Sequence, residues 1–414
     1  MKKLIFLFLL VGITACKNEP KVAENKIKED VVFLADDKLQ GRQTGTQGEI
    51  LASEYLVKRF ETIGLKPKGT EGYLQSFSFK PKTDPHKEVE FTTNADSTIT
   101  GNNVIGFIDN KAKTTIVIGA HYDHLGFGGE GSLYREEDKA VHNGADDNAS
   151  GVAVLLNLAS RLKIKNDQAE IKDKNNYLFM AFSGEEMGLL GSNYFSKNPT
   201  IDAESINYMI NMDMVGRMKK DSTLAVYGTG TSPMFKQTLK ANNDKFKLIE
   251  NESGVGPSDH TSFYLIDIPV LHFFTGQHED YHKPGDDSDK LNYEGMNLIS
   301  DYIFNIISDL DDNGELAFRK TKNESEETPR FKVGLGVVPD YLFDGKGMRI
   351  DGTREDTPAF TAGLQKGDIV IKLGDSTVTD MMSYMRALSV FDEGDKAEII
   401  VKRGDMTIDT RVQF

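Results

Sequence analysis

Seven of the eight histidines lie between His121 and His282, and acidic residues are interleaved with them in short motifs that follow apolar runs. GAHYDH places His121 and Asp123 after TTIVIGA, and HNGADDNASG places Asp146 and Asp147 on a Gly-rich turn that opens a helix. SGEE sets Glu185 and Glu186 after YLFMAF, Asp213 follows INYMINM, and DYHKPGDD carries Tyr281, His282 and Asp286 beyond IPVLHFF. Two carboxylates about 5 Å apart repel by roughly 3 kcal/mol at an effective dielectric near 20, so such groups, once converged, call for cations. Asp146, Glu186 and Asp213 with His121 and His282 form a hard N/O donor set of the kind zinc accepts, two ions sharing one carboxylate. Asp146, on the tight turn between the other motifs, is the natural bridge.

The adjacent glutamates then divide the work. Successive residues leaving a strand point in different directions, so Glu186 faces a metal while Glu185 faces the open position and the water bound there. Metal coordination brings the pKa of bound water to roughly 7, and a carboxylate beside it accepts the proton and later delivers it to a leaving amine. The constellation points to hydrolysis.

Elements that bring these motifs together are visible as short runs rich in Val, Ile, Phe and Tyr alternating with helical periodicity, from Asp30 to about Asp312. NVIGFI, TTIVIGA, NYLFMAF, INYMINM, TLAVYG and IPVLHFF read as strands, and 48–63, 149–162 and 293–310 as helices. Ile299, Ile303, Ile306 and Leu310 give the last helix one apolar face. The connections are long enough for crossover helices, which predicts an α/β fold: a mostly parallel mixed sheet covered by helices on both faces. Ligands in such sheets bind outside the carboxyl ends of the strands, where all the motifs fall.

The remainder of the chain divides into address, tether, linker and second unit. Residues 1–15 carry Lys2, Lys3 and about ten apolar residues, too few to span a bilayer but enough for a signal-peptide core. They end at ITAC, similar to a lipoprotein lipobox, which predicts an exported bacterial lipoprotein anchored in a membrane through lipidated Cys16, in the periplasm or at the cell surface. Cys16 is the single cysteine, so no intrachain disulfide forms. Residues 16–29 read as a flexible tether, 30–312 as the metal-binding domain, 313–330 as an exposed charged linker, and 331–414 as a small mainly-β unit. The formal net charge of -15 argues against nucleic acid as a partner.

The ordered set GAHYDH, GADDNASG, SGEE, NMDM and YHKPGD resembles the co-catalytic dinuclear zinc aminopeptidase family, which also holds glutamate carboxypeptidases and glutaminyl cyclases. The resemblance implies two zinc ions per chain, one held by His121, Asp146 and Asp213 and the other by Asp146, Glu186 and His282, with Glu185 as general base. It implies a cis peptide after Asp146, Asp123 and Asp286 orienting His121 and His282, and Tyr281 stabilising the oxyanion. Peptides are the implied substrates, cut at their N-termini; the alternatives are a cyclase or carboxypeptidase of the same fold, or a non-enzymatic peptide-binding scaffold. About 70 residues separate Asp213 from His282, too few for a lid domain, so the cleft is expected to be open. GLGV (Gly334 to Val337) and GLQKGDIVIKLGD resemble a PDZ domain, implying a peptide C-terminus as its ligand.

Other histidines carry weaker signals. His86 reads as surface and His272, inside IPVLHFF, as a core residue. His260 in GPSDHTSF matches a family position near the substrate, and Asp259 beside it is a candidate with it. His124 and His142 flank the first two motifs, where coordination is complete without them, and Asp147 reads as a helix cap.

Overall fold

The computed structural model describes residues 24–414 except 82–90, 93–97, 130, 135, 137, 170–171, 322–332, 341–342, 344 and 355. The proposed signal segment, Cys16 and His86 lie outside the described residues, and among the described residues no helix is long and apolar enough to cross a membrane. In chain order the first unit comprises α1 (Ile27–Leu34), α2 (Gln47–Ile63), β1 (Lys66–Pro67), β2 (Leu74–Phe79), β3 (Ile99–Ile108), β4 (Thr114–His121), α3 (Gly151–Gln168) and β5 (Asn175–Phe182). It continues through α4 (Leu190–Lys197), β6 (Ile206–Met212), β7 (Thr223–Tyr227), α5 (Phe235–Asn242), β8 (Lys247–Glu250), α6 (His260–Tyr264), β9 (Val270–Phe274) and α7 (Tyr293–Leu310).

These strands form one nine-stranded sheet, ordered β1-β3-β5-β4-β6-β9-β7-β8 with β2 on β3. Its centre, β5-β4-β6-β9, is parallel, and antiparallel pairings begin at β3 and β7 on either side. Alternation decides which face each residue serves. Ile116, Ile118 and Ala120 of β4 join the core under α1, α2, α3, α5 and α7, whereas Val117 joins the smaller core under α4 and α6. Burial on both sides is why these strands read as continuous apolar runs. The predicted face of α7 is the buried one, and Asn292 caps that helix by accepting the Gly295 N–H at 2.9 Å.

The sheet's central strands end side by side. His121 ends β4, the glutamate pair follows β5, Asp213 follows β6, and the segment to His282 follows β9. Chain order places β5 on one side of β4 and β6 on the other, so β4 is a switch point whose carboxyl end opens a crevice.

Both boundaries of this unit differ from expectation. The tether expected to run to residue 29 ends earlier: IKED begins α1, where Ile27, Val31 and Leu34 are buried and Asp30 accepts Arg59 Nε and Nη2 at 2.7 and 3.0 Å. The linker expected from 313 is docked at its start: Leu316 is 5% exposed in the main core, its N–H donating to Asn207 Oδ1 at 2.7 Å, and the Thr321 N–H donates to the Tyr264 hydroxyl at 3.1 Å. A few apolar anchors in a charged stretch are enough to dock it, and sparse anchors leave no periodicity to read.

The second unit holds β10 (Val337–Pro339), β11 (Met348–Thr353), α8 (Pro358–Thr361), β12 (Ile369–Leu373), β13 (Ser376–Thr377), α9 (Met381–Leu388), β14 (Lys396–Arg403) and β15 (Met406–Gln413). Its six strands pair antiparallel around a separate core that includes Leu335, Met348, Val370, Ile399 and Val401. The Gly-Asp turn before β12 has a structural role: buried Asp368 accepts Arg403 Nε and Nη2 at 2.6 and 2.7 Å, and Gly367 supplies φ +90°.

Candidate metal centre

The two carboxyl oxygens of Asp147 face two imidazoles. Oδ1 lies 3.4 Å from His121 Nε2, which is also 3.4 Å from Asp213 Oδ1. Oδ2 lies 3.2 Å from His282 Nε2, which is 3.3 Å from Glu186 Oε2. The sequence-predicted His121, Glu186, Asp213 and His282 therefore converge, while the shared position is held by Asp147, not Asp146.

This correction has a local cause. Asp146 is wholly buried but turns away, Oδ1 accepting the Gly216 N–H at 2.6 Å and Oδ2 standing 3.2 Å from His278 Nε2. Between strand and helix the chain makes one wide turn, 145–150, inside which Asp147 (φ -105°, ψ 90°) and Asn148 (φ -133°, ψ 43°) leave helical geometry. The cis peptide likewise joins Asp147 to Asn148, one residue beyond the expected bond. Asn148 Oδ1 accepts from Gly151 N at 2.9 Å and Met214 N at 3.1 Å, its Nδ2 donating to Met212 O, so the turn is tied to the end of β6. Gly151 permits that approach: a Cβ there would lie 2.5 Å from Met212 O.

Asp286 was expected to orient His282 and does not. Its Oδ2 accepts the N–H groups of Asp146 and Asp147 at 2.9 and 3.0 Å, fixing the turn. His282 instead donates from Nδ1 to Gly131 O at 2.8 Å, and its own carbonyl accepts from Leu133 N. Asp123 stands by His121 as expected, Oδ1 being 3.6 Å from Nδ1, and that ring nitrogen donates to the Asp123 carbonyl at 3.3 Å. The carboxylate also accepts the Glu185 N–H at 3.1 Å and Thr44 Oγ1 at 3.1 Å, so it positions the glutamate pair too.

These contacts fix the tautomers. With Nδ1–H of both His121 and His282 directed at carbonyls, both Nε2 lone pairs face carboxylates, an arrangement that needs a cation between them. In the metal-free protein protons supply it. Burial disfavours a charged His282, yet Glu186 and Asp147 outweigh it and lift the pKa to about 11; His121 is raised well above its usual value against the same burial, by Asp213 and Glu185. Glu186, opposed by burial, is held at about 2 chiefly by His282. His121 Nε2 and Glu186 Oε1 are buried without hydrogen-bond partners among the described residues. Divalent ions of zinc's preference fit this donor set, and they would displace the two protons.

Glu185 lines the same cleft, with its pKa raised well above its usual value: burial leads, His121 opposes it, and the charges of Asp213, Glu186 and Asp259 add to the rise. The cleft is open to solvent and has a wall of Met214, Tyr227, Phe274 and Tyr281. The Tyr281 ring stacks on His282 with centroids 3.8 Å apart. Asp259 and His260, expected near the substrate, are buried with no exposure and are not among the residues that line the cleft. His260 stacks on His272 at 4.4 Å, and His272 hydrogen-bonds Asn211 Nδ2, so His272 is a satisfied buried residue that also touches the cleft.

Arg42 and His278, which no motif marks, belong to the centre, and so does His124. Fully buried Arg42 donates from Nε to Tyr122 O at 2.7 Å, from Nη2 to Gly144 O at 3.0 Å and from Nη1 to Asn143 O and Leu34 O, tying the His121 and Asp147 loops together. His278 pairs with Asp146; its spacing from His282, four residues, was visible. His124, set aside as unneeded, lies within the cluster, Nδ1 2.7 Å from Glu186 Oε1.

Fold and cluster together define a zinc exopeptidase-like α/β domain joined to a small β unit. Residues 103–307 match Peptidase family M28 and residues 318–414 match the PDZ domain, so the chain carries an M28 peptidase domain followed by a PDZ domain. A probable leucine aminopeptidase of Trichophyton verrucosum (strain HKI 0517) is 32% identical over 174 residues, 40% of this chain and 44% of that protein. The chain spans about half the length of the curated relatives it matches. BSAP, a zinc aminopeptidase of Bacillus subtilis, has a similar fold at TM-score 0.53 and 16% identity, covering 72% of this chain and 97% of that one. So has Porphyromonas gingivalis glutaminyl cyclase, at TM-score 0.53 and 19% identity, covering 69% and 97%.

Proposed function

We propose that the chain is a dinuclear zinc aminopeptidase that removes N-terminal residues from peptides. The observation that carries this reading is Asp147 presenting one oxygen to His121 and the other to His282, with Asp213 and Glu186 completing two adjoining donor sets. His121, Asp147 and Asp213 would hold one zinc; Asp147, Glu186 and His282 would hold the other. Zinc bound there supplies a Lewis acid and water acidic enough to ionise near neutral pH. Glu185 takes up the proton of the attacking water and gives it to the departing amine, a role suited by its raised pKa. Tyr281, held against His282, donates to the oxyanion. Met214, Tyr227 and Phe274 exclude water from the bound residue.

Hydrolysis of aminoacyl-nitroanilides by the purified chain tests the proposal. Cleavage abolished by N-acetylation of the substrate and by a chelator is the expected result. Equal cleavage of free and blocked substrates removes the exopeptidase reading, and cyclisation of N-terminal glutamine with no hydrolysis replaces it by the cyclase.

The PDZ domain is proposed to bind a peptide C-terminus, and Cys16 to carry the lipid that anchors the exported protein. Labelled palmitate incorporated by the wild type and lost in Cys16→Ser checks the anchor.

A further inference from the structure

Neither ring nitrogen of His124 makes a hydrogen bond among the described residues, although the residue is 1% exposed. Its Nδ1 lies 2.7 Å from Glu186 Oε1 and 4.0 Å from Asp147 Oδ2. At 2.7 Å a ring nitrogen and a carboxylate oxygen are close enough to bond, yet Glu186 Oε1 also lacks a hydrogen-bond partner, because the oxygen lies off the ring's donor direction. The two atoms face shared space rather than each other. Asp147 Oδ2 and His282 Nε2, 3.2 Å apart, face it as well. Donors about 2.0–2.1 Å from a tetrahedral ion stand roughly 3.3 Å from one another, a value that the separations here, 2.7 to 4.0 Å, bracket.

Packing sets the ring in place. Gly144, at φ +54°, lies flat against it, and a Cβ there would fall 2.5 Å from His124 Cγ. The His124 and His282 rings meet edge to face with centroids 5.9 Å apart, on either side of Glu186.

We propose that His124 is a fourth protein ligand of the ion held by Asp147, Glu186 and His282, so that the two metal positions are unequal. This inference rests on the dinuclear reading above. One position has four protein donors and is closed in the manner of structural zinc sites; the other, with His121, Asp147 and Asp213, has three and keeps room for substrate and water. Glu185 belongs beside the second, since its N–H donates at 3.1 Å to Asp123 Oδ1, which stands 3.6 Å from His121 Nδ1. The closed position retains its ion longer, and catalytic loss under mild chelation reflects emptying of the open one.

Zinc retained by the full chain across graded chelator concentrations tests this. The wild type is expected to release one zinc early and one late. In His124→Ala the late release moves earlier by more than the roughly 10–100-fold typical of a residue that only orients a ligand. Because the ring is buried, unfolding midpoints of the metal-free wild type and variant are compared alongside. Independently of any variant, the 113Cd-loaded, 15N-histidine-labelled wild type is expected to show cadmium–nitrogen splitting at three imidazoles. Splitting at two only, with two ions bound, overturns the role of His124 and leaves the dinuclear reading intact. A wild type that binds no divalent ion, or one, overturns that reading itself.

Discussion

Asp286 Oδ2 accepts the backbone N–H of Asp147 at 3.0 Å, and through this bond and its twin to Asp146 the last acidic residue of the site sets which aspartate of the doublet faces the histidines. Asp147→Ala is accordingly expected to abolish tight metal binding and activity. Asp146→Asn keeps the Gly216 contact and most of the metal. Metal analysis of the two purified variants checks the assignment, and the reverse pattern would restore Asp146 as the bridge.

Glu185 takes no part in either donor set. Glu185→Gln should bind metal as the wild type does while kcat falls by about 10²–10⁴-fold, the usual worth of a general base. Undiminished turnover in a metal-replete variant would falsify the role.

Arg42 satisfies four carbonyl oxygens from three segments, and burial lowers its pKa to about 10 against the opposing pull of Asp123 and Asp147. Each buried carbonyl left bare costs roughly 1–3 kcal/mol, so Arg42→Met should lose at least about 3 kcal/mol of stability along with metal affinity. Arg42→Lys repairs little, because one ammonium cannot span the fork. Denaturant titration of the metal-free proteins measures the first effect, and a lysine variant as stable as wild type contradicts the account.

His260 and His272 are buried against each other, and burial lowers both pKa values; His272 adds to the lowering at His260, while at His272 Asp213 opposes burial and His121 reinforces it, leaving that pKa at about 4. Folding therefore keeps them neutral while the unfolded chain takes up protons below about 6.5. Their contribution is complete above that value and is lost progressively as pH falls toward 4. Stability measured from pH 7 to 4.5 should drop less steeply in His272→Gln, and an identical slope counts against the pair.

The central strands and the motifs at their ends were legible, because both-face burial writes itself as β-branched and aromatic runs. Residue-level register at the Asp146–Asp147 doublet was not. It depends on a turn with no repeating period, held by Asn148 and by Asp286, which lies 139 positions away from Asp147. Arg42 was missed for a related reason: its partners are backbone carbonyls, which no side-chain pattern announces. Asp30, at the supposed end of a tether, gave no sign that Arg59 and Tyr55 would enclose it, since a single ion pair on an eight-residue helix has no periodicity.

His282 hangs from Gly131 by its ring and from Leu133 by its carbonyl, and Asp286 braces Asp147. While the ribosome has yet to add residues 282–286, the earlier motifs emerge with neither their last imidazole nor the brace for their shared carboxylate. The donor set that includes His282 thus closes last in synthesis, and a nascent fragment halted before it lacks both that imidazole and the brace on Asp147.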